Sequence, residues 1–130
     1  MLVDNLITGE VFMKIEIDIN GNRVIGRLND TKTSKDFIAE LPLTVRLNDL
    51  FRREKYAELP HPLSTDAKRE YRYKLGQIAY WSPSKSIAIF YKDDGETIPP
   101  PGIIVMGQIE SGVNLVGFEG SAQVTIKLAD

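Results

Sequence analysis

Residues Met13 to Leu28 fit one arrangement, a β-hairpin. Met13, Ile15, Ile17 and Ile19 alternate with Lys14, Glu16 and Asp18, a period of two that suits a strand with one buried face. Asn20-Gly21 follows, a pair suited to a two-residue type I′ turn because both positions there need positive φ. With Ile19 and Asn22 flanking the turn, Ile17 falls opposite Val24, Met13 opposite Leu28 and Asp18 opposite Arg23. That register gathers apolar side chains on one face and opposite charges on the other.

A second paired segment runs from Gly76 to Tyr91. Two apolar, β-rich runs flank Ser82-Pro83-Ser84-Lys85 and carry the single Trp and two of the five Tyr. Strand alternation predicts Trp81 and Phe90 in the core, with Tyr80 and Tyr91 partly outward. Further strands are expected at Ile103 to Ile109 and Ala122 to Leu128, separated by turn clusters at Asp93 to Pro101 and Glu119-Gly120. The run around Val105 shows no polar alternation before Gln108, which predicts a strand buried on both faces.

Between these segments, Thr33 is a candidate N-cap with Asp36 three residues on. Phe37, Ile38 and Leu41 form a short apolar stripe that Pro42 ends, so one short helix is expected. Leu43 to Leu47 reads as a strand. From Asn48 to Arg72 the chain is polar, weakly periodic and broken by Pro60 and Pro62, the signature of a wrapping or functional loop, with a short helix near Leu47 to Phe51. Residues 1–12 read as an N-terminal extension, an edge segment or the product of an early start codon, and residues 13–130 as one domain.

At 130 residues, 42% hydrophobic and 26% charged, the chain can bury a core and has no room for a second domain. Its 16 Lys and Arg against 18 Asp and Glu leave a net charge of -2, so neither nucleic acid nor an acidic membrane is an expected partner. The absence of cysteine excludes disulfides, a thiolate nucleophile and Cys-ligated metal, and suits the cytosol. Met1 to Ile7 lacks the basic and long apolar regions of a signal peptide, and no apolar run reaches the roughly 18 residues of a membrane span. The chain therefore reads as soluble and cytoplasmic.

Leu41-Pro42-Leu43-Thr44, Pro60-His61-Pro62-Leu63 and above all Gly76 to Tyr91 together resemble the small prokaryotic cyclophilin-like domain family. Its pattern is a Gly-Asp/Gln-Ile-Ala-Tyr-Trp strand, a Pro-containing turn, an apolar strand ending in Phe-Tyr, and a later Val/Ile-rich strand such as Ile103 to Ile109. The likeness covers Met13 to the end. It implies a mainly β fold, an eight-stranded closed barrel with one or two short helices. It does not imply peptidyl-prolyl isomerase activity, since fold alone does not determine function. True cyclophilins carry an Arg within a Phe-His-Arg-like strand, whereas Arg46 sits in Thr44-Val45-Arg46-Leu47, so no catalytic residue is carried over. Where relatives have Pro-Gly, this chain has Pro83-Ser84, which predicts a different turn.

Several side chains invite a chemical reading. Prolyl isomerisation needs an apolar socket and a donor near the twisted amide, for which Arg46 is the candidate donor and Tyr80, Trp81, Phe90, Tyr91 and Met106 are candidate walls. His61 is a candidate base with no orienting carboxylate fixed beside it. Asp93, Asp94 and Glu96 lack the ligand spacing of a calcium loop and read as a solvated turn, so no metal and no cofactor is expected. Arg52, Arg53, Lys55, Lys68, Arg69, Arg72 and Lys74 with Tyr71 and Tyr73 form a basic patch, but Glu54, Glu58, Asp66 and Glu70 interrupt it.

The sequence thus points to a binding module that holds a small molecule or short, proline-containing peptide in a concavity bounded by the long segment. Arg46, Tyr56, His61, Tyr80, Trp81, Phe90 and Met106 are its expected ligand-binding residues. A weak prolyl isomerase and a structural or interaction module, for instance a homo-oligomer, are the alternatives.

Overall fold

The hairpin register is realised residue for residue in a computed structural model that describes residues 2–4 and 11–129. Strands β2 (Val11–Ile19) and β3 (Asn22–Leu28) pair with Ile17 opposite Val24, Met13 opposite Leu28 and Asp18 opposite Arg23. Asn20 and Gly21 take φ of 52° and 82°, as the type I′ turn requires. Ile15, Ile17, Ile19, Val24 and Leu28 point into the core. On the wet face Arg23 reaches Glu16 at 2.7 Å rather than Asp18, whose carboxylate instead accepts the Gly21 amide.

The remaining strands are β4 (Leu43–Leu50), β5 (Glu54–Glu58), β6 (Gln77–Trp81), β7 (Ser86–Phe90), β8 (Ile104–Ser111) and β9 (Ala122–Leu128). Their order, β2-β3-β8-β6-β7-β5-β4-β9, returns to β2 through Ile15 to Asp18 against Thr125 to Leu128, and all pairs are antiparallel. Eight strands thus close into a barrel, which leaves that ring no open edge. Beside β9, β1 (Leu2–Asp4) adds to the same flank of β2, opposite Val11 to Met13.

Helix α1 (Lys32–Ala39) is capped by Thr31, whose hydroxyl accepts the Ser34 amide at 3.1 Å. The cap expected at Thr33 is corrected: Thr33 lies inside the helix, fully buried, and donates its hydroxyl to the Ser64 carbonyl. Phe37 from α1 and Val116 from α2 (Val113–Val116) both enter the barrel interior. Among the described residues no helix is long and apolar enough to cross a membrane.

Two expectations for the middle of the chain fail. No helix forms near Leu47 to Phe51, because β4 continues to Leu50 and turns directly into β5. The polar stretch hides a strand because its buried positions hold Glu54 and Lys55, side chains that periodicity assigns to solvent. The irregular stretch shortens to residues 59–76, which wraps the barrel and sends Leu59 and Leu63 into its core. Ser82-Pro83-Ser84 forms a 3₁₀ turn, and Lys85 carries the positive φ of 52°.

The aromatic expectation is inverted. Ile78 and Tyr80 of β6 and Ile87 and Ile89 of β7 point into the barrel, while Ala79, Trp81, Ala88 and Phe90 point out. Tyr80 is 1% exposed. Its hydroxyl accepts the buried Leu63 amide at 3.0 Å and thereby fastens the wrapping segment. Phe90, Ala79 and Ala88 belong instead to a second, outer cluster with Tyr73, Ile98 and Ile103. The β8 strand serves both layers: Met106 is interior, and Val105 is half-buried against the outer cluster.

Candidate functional site

Over the outward face of β5, β6 and β7 lies a cleft of about 290 Å³. The antiparallel register sets Glu54 beside Phe90 and Tyr56 beside Ala88. Ala88 is small, whereas Tyr56, Trp81 and Phe90 around it are large, so the surface sinks above Ala88. Ile98, Pro99 and Ile103 wall one side, and Leu50 and Phe51 at the β4–β5 turn wall another.

That turn is unusual. The Arg53 amide donates to the Leu50 carbonyl, and the two intervening residues, Phe51 and Arg52, have φ of 57° and 51°. A type I′ turn favours Asn-Gly, and a bulky residue in the left-handed region is strained by about 1–3 kcal/mol. Asp49 supports the turn by accepting the Arg52 amide at 3.1 Å. Phe51 is 72% exposed, with its ring 5.3 Å from the Arg53 guanidinium carbon.

Arg53 is the cation of the cleft wall and is 8% exposed. Its guanidinium carbon lies 5.1 Å from the Tyr73 ring and 5.7 Å from the Phe90 ring, and those two rings stack at 4.3 Å. One terminal nitrogen donates to Glu54 at 3.2 Å, and the other sits 3.7 Å from Asp94. Its Nε, fully enclosed, has no acceptor among the described residues.

The carboxylates divide by environment. Burial pushes the Glu54 carboxyl above its usual range, against the pull of Arg53 and with help from the charges of Asp94 and Asp49. Asp94 is held low, first by the Tyr73 hydroxyl that donates to it and then by the Glu96 amide. Burial, followed by that same bond, raises the Tyr73 phenol. The Asp93 carboxylate accepts the Gly95 amide, so this acidic run folds as a turn.

Behind the turn, Lys55 points the other way and is completely buried. Its ammonium donates to the carbonyls of Phe118 at 2.6 Å and Gly120 at 2.7 Å, meets Asp49 at 3.1 Å, and lies 4.1 Å over the Phe118 ring. The Tyr91 hydroxyl also donates to Asp49 at 2.5 Å. Burial and then this bond push the Tyr91 phenol up to about 12. Asp49 feels an upward push from burial, but the Tyr91 and Lys55 bonds outweigh it and hold the carboxyl low.

Of the residues expected at a site, Tyr56, Trp81 and Phe90 line the cleft. Arg46 lies elsewhere, on the exposed face of β4, donating to Ser121 at 2.7 Å. His61 is exposed and paired with Glu40 at 2.8 Å, a partner 21 residues away that sequence proximity did not suggest. Tyr80 and Met106 lie inside the barrel at 1% and 0% exposure. Phe51, Arg53 and Glu54 were missed as cleft residues. Arg53 and Lys55 leave the basic patch that the sequence suggests, because both are buried and they point to opposite sides of β5.

A family model described as the cyclophilin-like family matches residues 17–127. The chain belongs to the cyclophilin-like family. A solved relative in fold is the hypothetical protein AF2241 from Archaeoglobus fulgidus, at a TM-score of 0.76 and 22% identity over 92% of this chain and 97% of that one. No curated protein matches the chain. At that identity the structural likeness establishes the barrel alone, and the cleft must be read from its own residues.

Proposed function

We propose that this cyclophilin-like domain is a binding module whose ligand, a small molecule or short peptide, sits in the outer cleft above Ala88. The observation that carries the reading is the lining: Tyr56, Trp81, Phe90 and Ile103 share the cleft with one buried guanidinium, Arg53, and one buried carboxylate, Glu54, the combination of apolar wall and few polar groups typical of ligand pockets. Its volume suits a small ligand.

Trp81 is the only tryptophan and borders the cleft, so its fluorescence reports occupancy directly. Screening small apolar compounds and proline-containing peptides should quench or shift that emission. At ligand concentrations about 100 times Kd the melting temperature should rise by about 10 °C. Ala88→Leu, which fills the floor, should abolish both effects in a folded protein. Ligands that act equally on Ala88→Leu would exclude this cleft.

A prolyl isomerase reading gains support from Arg53, which puts a guanidinium among aromatic rings as Arg46 does not. A protease-coupled proline-peptide assay decides it. A rate above background that falls in Arg53→Lys supports isomerisation, and no rate excludes it.

A further inference from the structure

We propose that the ligand is a small apolar molecule bearing one carboxylate, admitted to Arg53 by displacement of the Phe51 ring at the β4–β5 turn. This inference rests on the cleft being a binding site and names what it binds.

The first observation is the turn itself. Phe51 and Arg52 occupy left-handed positions that Asn-Gly would fill without strain, and the Phe51 side chain is 72% exposed. Neither fold closure nor core packing explains a phenylalanine there. Its ring covers the Arg53 guanidinium, and being largely in solvent it can swing aside without opening the core.

The second observation is the state of Arg53. A guanidinium offers five N–H donors in a planar fork. Here one bond to Glu54 is well made, the approach to Asp94 is long at 3.7 Å, and Nε has no acceptor among the described residues. A buried cation with donors left over calls for an acceptor, and a carboxylate matches the fork with two. The two nearby carboxylates already have partners: Asp94 accepts from the Tyr73 hydroxyl and the Glu96 amide, and Glu54 accepts from one terminal nitrogen of Arg53. A primary amine, by contrast, would meet the Arg53 charge, and the one carboxylate of the lining, Glu54, is already bonded to Arg53.

The test uses the intact chain with phenylacetate, phenylacetamide and phenethylamine, read by Trp81 fluorescence and by amide NMR shifts. Phenylacetate should bind most tightly, phenylacetamide about tenfold more weakly, and phenethylamine weakest. The double variant Phe51→Asn, Arg52→Gly should melt about 4–8 °C higher, from relieved strain, and, with no ring to displace, take up phenylacetate several-fold faster. If the three probes bind alike, or phenethylamine binds best, the carboxylate assignment is overturned while the cleft stands as a site. If phenylacetate associates with the double variant no faster than with the parent, the role of the turn is overturned. If no probe perturbs Trp81 or the cleft amides, the binding reading falls, and this inference with it.

Discussion

Lys55→Met is the sharpest perturbation of the fold, because it removes a fully buried ammonium while nearly preserving its length. The carbonyls of Phe118 and Gly120 lose charged donors at 2.6 and 2.7 Å, and each buried acceptor left unpaired costs about 1–3 kcal/mol. Asp49 loses one of its partners but retains the Tyr91 hydroxyl and the Arg52 amide, and it is 28% exposed, so water takes up part of the loss. Against this, the variant no longer strips an ammonium of its hydration. Removal of one member of a buried ion pair typically costs about 3–5 kcal/mol. The partial exposure of Asp49 places this case near the low end, about 3 kcal/mol. With an unfolding entropy of roughly 2.1 cal/mol/K per residue, each kcal/mol moves the melting temperature of a chain this size by about 4 °C, so Lys55→Met should melt about 12 °C lower. Differential scanning calorimetry and urea titration, with an unchanged slope, check the value. The acid limb gives a second reading. Because the folded Asp49 carboxyl is held low, its contribution is present above the unfolded carboxylate value near pH 4 and is lost as pH falls through the lower folded value. Lys55→Met should weaken that acid-side loss. A variant that melts within about 2 °C of the parent, with the same acid limb, would refute the claim that the ammonium holds the Phe118 to Gly120 segment to β5.

Tyr80→Phe deletes only the acceptor of the buried Leu63 amide and should destabilise by about 1–3 kcal/mol, with faster hydrogen exchange at Leu63 as its local mark. Unchanged exchange there would show that residues 59–76 are fastened without this bond. Glu54→Gln acts on the opposite pH limb. The folded Glu54 carboxyl is raised, so its contribution is present below the unfolded value near pH 4 and is lost as pH rises through the folded value. The substitution should flatten that decline and change stability at pH 7 by no more than about 1.5 kcal/mol, since Gln can still accept from Arg53. Denaturant midpoints from pH 3 to 8 check it, and an unaltered profile would exclude Glu54 as the titrating group.

The two early hairpin strands were legible because their pattern has one dry face and a turn whose chemistry admits one register. Where both faces are covered, period two falls silent. Gln77 to Trp81 and Ser86 to Phe90 showed that strands exist but not which of Tyr80 and Trp81 points inward, and the family resemblance carried the barrel without fixing that phase. Strand β5 was lost for the reverse reason. Its buried positions hold Glu54 and Lys55, and only partners distant in sequence make those burials tolerable: carbonyls at Phe118 and Gly120 for one, and the Arg53 fork beneath stacked rings for the other. Arg46 was singled out by analogy with a strand arginine, whereas Arg53 became visible as a cleft residue only once the turn before it had a shape.

A usable signal for the cleft was nonetheless present in the sequence. A barrel whose outside is wet should alternate apolar and polar along every strand, yet the outward positions of β6 and β7 hold Ala79, Trp81, Ala88 and Phe90 with only Gln77 and Ser86 polar, and Ile103, just before β8, and Val105 within it continue that apolar face. So much apolar surface facing away from the interior demands a second layer, and only the irregular segments are free to supply it. Tyr73 and Ile98 do so: the Ile98 amide donates to the Tyr71 carbonyl, and Glu70 bridges to Ile103. The cover stops short of Ala88, and there the same excess of apolar side chains lines an opening instead of a core. A strand pair that is dry on both sides but roofed on only part of one locates a cleft before any side chain is assigned a chemical role.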